Sequence, residues 1–180
     1  MDAVRASWQS VAAYKSKRVV CATSLLALGS AFELLTRFSA EAREGIADLR
    51  DGFRFAMGIW PDGPFITLAK KGDRVKYIGR GRQGEDVAII FKNLDAAVRV
   101  FTGQTGTAKA VAHNWVFVHG NLGDSMRVNR ALEQVQIYLF PTLLLKKALK
   151  EKPHLSGAQL AIKAKVMAAL APVMALNAAK

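Results

Sequence analysis

The side chains able to do chemistry are few, and their spacing is poor for catalysis. Of three histidines, His113 and His119 could share a strand face, but no Cys, Asp or Glu lies beside them. A zinc or other transition-metal site needs three or four such ligands converging. All three are read as structural histidines, and no metal or other cofactor is expected. The single cysteine, Cys21, cannot form an intrachain disulfide and stands among apolar residues, where a thiolate is disfavoured. It reads as an inert buried thiol. Gly79, Gly81 and Gly84 match a dinucleotide fingerprint in spacing, but they lead into the strand-like run 86–91, not into a helix. The motif works by placing pyrophosphate at a helix N-terminus, so this match is a glycine-rich strand connection. Carboxylate pairs occur at Glu41/Glu44, on a helix start, and at Glu85/Asp86, on a strand start. No nucleophile elbow, Walker loop or HExxH is present. The chemistry argues for binding and against turnover, so the chain is expected not to be an enzyme.

Composition narrows the class of binder. The 180 residues are 51% hydrophobic, which excludes a disordered, collagen-like or disulfide-framework chain. Net charge is +12, rising along the chain from +2 over residues 1–50 to +4 over 51–120 and +6 over 121–180. Such a surface attracts polyanions: nucleic acid, anionic lipid or acidic protein. Nucleic acid is set aside, because no RNA-recognition aromatic motif, zinc pattern or clear helix-turn-helix occurs. The apolar run at 19–32 stops at Glu33, short of the ~20 residues that span a bilayer.

These residues must be positioned by elements whose periods are legible. The first 40 residues contain only Gly29 and no Pro, and Met1, Val4, Trp8 and Val11 recur at helical spacing. Basic Lys15, Lys17 and Arg18 precede the apolar run. Three readings are open: a helix packed on the domain, a membrane-surface helix, or a targeting segment. Ser39 is placed to cap a helix over 40–49. From residue 53 the period becomes two, as in a strand with one buried face: Phe53, Phe55, Met57 and Ile59 alternate with Arg54, Ala56 and Gly58. The turn 60–64 leads to strands at 65–70, 74–78 and 86–91, which predict an antiparallel meander. Helix over 94–101 is capped by Asn93 and stopped by Gly103. A fifth strand at 115–119 and a helix after Gly123 follow. Pro141 should break that helix, and a last helix over 159–177 carries Pro172 in its path. The fold class is α+β. Three segments are expected: an N-terminal helical extension (1–39), a central domain (40–152) and a C-terminal helix (153–180).

Within the central segment, Asp86-Val87-Ala88-Ile89, Thr102-Gly103, the apolar stretch 108–118 and Gly120-Asn121-Leu122-Gly123-Asp124-Ser125-Met126-Arg127 with Leu132 stand in a definite order. In that order and spacing the chain resembles the sterol carrier protein type 2 family, over residues 40 to 150. Polar Asp124 and Ser125 depart from it, as do the terminal helices. The resemblance implies a five-stranded, mostly antiparallel sheet covered by helices over an apolar tunnel. It also implies a ligand of sterol, fatty acyl, acyl-CoA or isoprenoid quinone type. The peroxisomal tripeptide of some relatives is lacking, as the sequence ends Ala178-Ala179-Lys180.

Strand alternation, helical stripes and the resemblance together nominate Phe55, Met57, Ile89, Phe91, Val98, Phe101, Val116, Val118, Met126, Leu132 and Leu139 as lipid-binding residues. The dense group Leu139, Phe140, Leu143, Leu144 and Leu145 is either plain core or a tunnel wall and lid. Two basic clusters are either solvated faces or contacts with anionic lipid: Lys70, Lys71, Arg74, Lys76, Arg80 and Arg82 around one hairpin, and Lys146, Lys147 and Lys150 further on. The expected function is non-enzymatic binding or transfer of a hydrophobic lipid by a cytoplasmic protein in peripheral membrane contact. The alternative is an accessory interaction module of a lipid-modifying or quinone-making assembly, with a partner bound through the terminal helices.

Overall fold

The computed structural model describes residues 2–139 and 156–179. The helical start extends without a break through α1 (Asp2–Phe38), and Ser39, its hydroxyl accepting from the Ala42 N–H, begins the short α2 (Ala40–Glu44). Turns, not further helix, fill 45–49. Then come β1 (Arg54–Ile59), β2 (Phe65–Lys71), β3 (Arg74–Arg80) and β4 (Val87–Phe91). The chain continues through α3 (Leu94–Phe101), α4 (Thr107–Ala112), β5 (Val116–Gly120), α5 (Leu122–Leu139) and α6 (Gly157–Ala178). The fold is α+β, with one five-stranded sheet in the order β3-β2-β1-β4-β5.

That order corrects the meander. β4 does not add beside β3; it crosses to the far side of β1 and pairs with it in parallel, Phe55 opposite Val87 and Ile59 opposite Phe91. The connection 81–86 makes the crossing. Its start is held by Gly81 N–H donating to Phe65 O, and its end by Asp86 N–H donating to Arg54 O, at opposite ends of the strands. Asp86 then accepts the Arg54 N–H through its carboxylate and pairs with Arg50. Because this segment lies over the outer face, β1 and β4 are buried on both sides, with Ala56, Ala88, Ile90 and Phe65 in a small second cluster beneath it. The one-face alternation expected of β1 therefore fails.

The inner face carries the main core. α1 lies across β2 and β3, and presents Cys21, Leu25, Leu28, Phe32 and Leu35 at spacings of three and four. Gly29 lets the helix approach the sheet: a Cβ there would stand 2.9 Å from Ile66 Cδ1 and 3.3 Å from Tyr77. Phe32 meets Phe55 at 5.5 Å between ring centroids, and Lys17 pairs with Asp95 of α3 at 2.6 Å. The core is continuous from Cys21 to Val166 of α6. Val11–Phe38 and Gly157–Ala178 are both long and apolar enough to cross a membrane, although neither is an uninterrupted apolar run. The first is 56% buried within the domain, as befits a core helix; the second is only 6% buried.

Gly120 closes β5 with φ 116°, and a Cβ there would meet Asp86 O at 2.3 Å. Gly120→Ala is expected to cost about 2–4 kcal/mol by urea denaturation, from backbone strain and overpacking together. Gly72→Ala, at φ 62° with open space around it, should cost only about 1 kcal/mol.

Candidate functional site

Beyond the packed half of the core, the helices stand away from β4 and β5 and leave a cavity of about 710 Å³. Strand register builds its floor. Met57 lies opposite Ile89, and Ile89 opposite Val118; one rung on, Phe91 lies opposite Val116. These five side chains share the inner face and line the cavity. Phe101 of α3 stands edge-on to Phe91 at 5.1 Å, closing one end. α5 roofs the space with Met126, Leu132 and Leu139. It is set in place by Asn121, whose carboxamide oxygen accepts the Asp124 N–H while its backbone carbonyl accepts the Ser125 hydroxyl.

Nine of the eleven nominated residues therefore line one cavity. The other two do not. Phe55 is fully buried against Phe32 in the packed half, and Val98 is half-buried against the core. Several lining groups have no counterpart in the sequence reading: Ser24, Leu25 and Leu28 of α1, the loop 103–106, and Met167 and Leu170 of α6. The stripe 21, 25, 28, 32, 35 in α1 was a usable signal, since a core-facing helix must run over whatever lies beneath it.

The lining is apolar toward the sheet and polar along one lip. There Asn129 donates to Glu133 at 3.0 Å, and the Thr107 hydroxyl contacts Gln136 Oε1 at 3.4 Å. Arg130 also reaches the lining. At the β5 edge the cavity opens between Val111, Val118, Leu122 and Met126, all exposed, Leu122 at 74%. Exposed apolar side chains grouped around an opening mark a contact or entry surface. Cys21 lies deep in the core beside this region. Burial foremost, and the Asp95 charge secondarily, raise its thiol pKa to about 11. Among the described residues no three His, Cys, Asp or Glu gather as a metal site, and His113 stacks on Trp115 at 5.3 Å.

The hairpin cluster divides. Lys71, Arg74, Lys76, Arg80 and Arg82 are exposed, although Arg82 pairs with Glu85 at 2.5 Å and Arg80 donates to Ala178 O at 2.9 Å. Lys70 is buried, so it is no membrane contact: period two places it on the inner face with Ile66 and Leu68, where its ammonium donates to Ala47 O at 2.8 Å and to Leu49 O. Lys146, Lys147 and Lys150, with Phe140, Pro141 and the leucines 143–145, lie outside the described residues.

No protein-family model matches the chain, and no curated protein matches it either. Solved structures similar to it include a UbiJ-SCP2 ubiquinone synthesis protein, at 12% identity over 58% of this chain and 90% of that one, TM-score 0.40. Another is sterol carrier protein domain 2 of Helicoverpa armigera, at 18% identity over 58% and 80%, TM-score 0.40. Sterol carrier protein 2 from Yarrowia lipolytica aligns at 14% identity over 61% and 88%, TM-score 0.41. The likeness is one of fold, at a level that says nothing of ligand or activity.

Two outcomes follow from the buried polar groups. Lys70→Met should lower stability by about 1–3 kcal/mol, since two carbonyls lose their donor, and should leave vesicle sedimentation unchanged. With a pKa near 11, about one Cys21 thiol in a thousand is ionised at pH 8. Native protein should resist iodoacetamide there and react promptly once unfolded in urea; mass spectrometry distinguishes the two.

Proposed function

We propose that the chain binds one hydrophobic lipid in this cavity and exchanges it with a membrane, without chemical turnover. The observation that carries the reading is the unfilled apolar space between the sheet's β4–β5 half and its helical roof. Its volume of about 710 Å³ falls within the range of small-molecule pockets, roughly 300–1,000 Å³. The resemblance of residues 86–132 to the sterol carrier type 2 pattern supports the same ligand class: sterol, fatty acyl or isoprenoid.

Energetics explain how such a site can exchange its guest. Burying a 16-carbon chain gains about 10 kcal/mol relative to water, at ~0.8 per methylene, and a bilayer offers nearly the same. The protein therefore need not outbid the membrane. It need only keep the tail out of water between two hydrocarbon environments. The exposed Lys71, Arg74 and Lys76 suit a peripheral approach to an anionic leaflet, at about 1 kcal/mol per basic group near the surface. The proposed setting is cytoplasmic. The alternative, an accessory module whose interior is filled, accounts less well for the unfilled space, because packed interiors leave few voids larger than a water molecule.

The test is native mass spectrometry of protein purified without detergent, combined with titration of a fluorescent fatty acid. A bound lipid of defined mass and saturable one-to-one binding are expected. Phe101→Glu and Met126→Glu should each weaken binding about tenfold or more, because a carboxylate is costly to bury beside hydrocarbon. Undiminished binding by both variants, folded by circular dichroism, would refute the cavity as the site.

A further inference from the structure

The last helix is apolar on two faces but packed on one. Its inner stripe, Ile162, Val166, Leu170 and Val173, rests on the core, with Val166 fully buried. Its outward half exposes alanines, bordered by Leu160 (54%) and Met167 (47%) on one flank and by Leu176 (65%) with Lys165 on the other. Within α6 the only charged residues are Lys163 and Lys165, and Lys163 is turned inward, its ammonium donating to Ile137 O at 3.0 Å. A helix that is hydrophobic all round belongs in a core or in a membrane. This one is 22 residues long, about 33 Å at 1.5 Å per residue, and lies on the outside.

Charge selects what covers it. α6 has no acidic side chain, and its last turn is tied to the basic edge of the sheet by Arg80 donating to Ala178 O at 2.9 Å. Arg74 and Lys76 stand exposed on the same strand as Arg80. A second copy would bring this edge, and a net charge of +12, against its like. An anionic leaflet attracts both. An isolated interfacial helix turns a polar face to water; here the domain itself occupies that side. Asn177, buried and bonded to Ser30 Oγ and Glu33 of α1, anchors the C-terminal end, so the helix lies along the domain surface.

We infer that α6 is the membrane-docking element, its broad outward face seated in the plane of an anionic bilayer and the β3 basic edge among the headgroups. Met167 and Leu170 also line the cavity. The docked helix is therefore the wall between the cavity and the bilayer, and exchange passes beside it. That last consequence rests on the cavity reading; the docking itself does not.

The experiment uses the full chain with an environment-sensitive dye on Ala168→Cys, and phosphatidylcholine vesicles with and without phosphatidylglycerol. With anionic vesicles the dye should brighten and shift to the blue, less so as salt is raised. The double variant Leu160→Glu, Leu176→Glu, at exposed positions off the cavity, should sediment with vesicles about tenfold less or worse. Its titration with the fluorescent fatty acid in solution should match wild type. A silent dye, whether or not the protein sediments, overturns the docking assignment. So does a wild-type dimer that the double variant abolishes, since a second copy would then cover the face. Failure of wild type to bind the fatty acid, with dye and sedimentation responding as expected, refutes the cavity reading and upholds the docking.

Discussion

The structure turns on a gap that the side chains of the described residues do not close. The gap opens to solvent at the β5 edge, and the side chains of its floor (Met57, Ile89, Phe91, Val116, Val118) present apolar surface there. Apolar surface left against water is unfavourable by roughly 25 cal/mol per Å². Asn129, Glu133 and Gln136 form a polar lip beside that floor.

How the gap stays open is a matter of division of labour along the sheet. α1 fills the β2–β3 half, brought close by Gly29 and locked by the Phe32–Phe55 contact. The same helix, one to two turns earlier, turns Ser24, Leu25 and Leu28 toward the cavity. Over β4 and β5 the cover comes instead from α3, α4 and α5, which meet one another sparsely and leave the mouth at the β5 edge. A closed half thus supplies the stability that lets the other half remain open. The loop crossing the outer face contributes in turn, because it buries β1 and β4 on both sides and stiffens the floor.

Charge and apolar surface are distributed in a related way. The exposed basic groups of β3 and the bare apolar face of α6 adjoin through the Arg80–Ala178 contact, while the polar lip belongs to the α5 side. A lipid surface that satisfies the first two need not disturb the third. Lys70 shows why a run of basic residues is not itself a surface: period two turns alternate members inward, and the one turned inward serves backbone carbonyls.

Local periods and caps were legible without coordinates. The switch from helical to two-residue spacing near residue 51, the caps at Ser39 and Asn93, and the five strands all stand close to where the residues put them, because each depends on neighbours a few positions away. The cavity floor was legible for the same reason, since strand alternation turns Met57, Ile89, Phe91, Val116 and Val118 to the apolar faces of their strands. Strand order was not. Whether β4 joins β3 or crosses to β1 is decided by long-range pairing and by what the crossing loop covers, and no spacing within a strand encodes it. Tertiary packing alone also sent Phe55 into the closed half and made α6 a wall of the cavity. Each of those outcomes depends on which distant surface a face meets, and a residue's own neighbours carry no record of that.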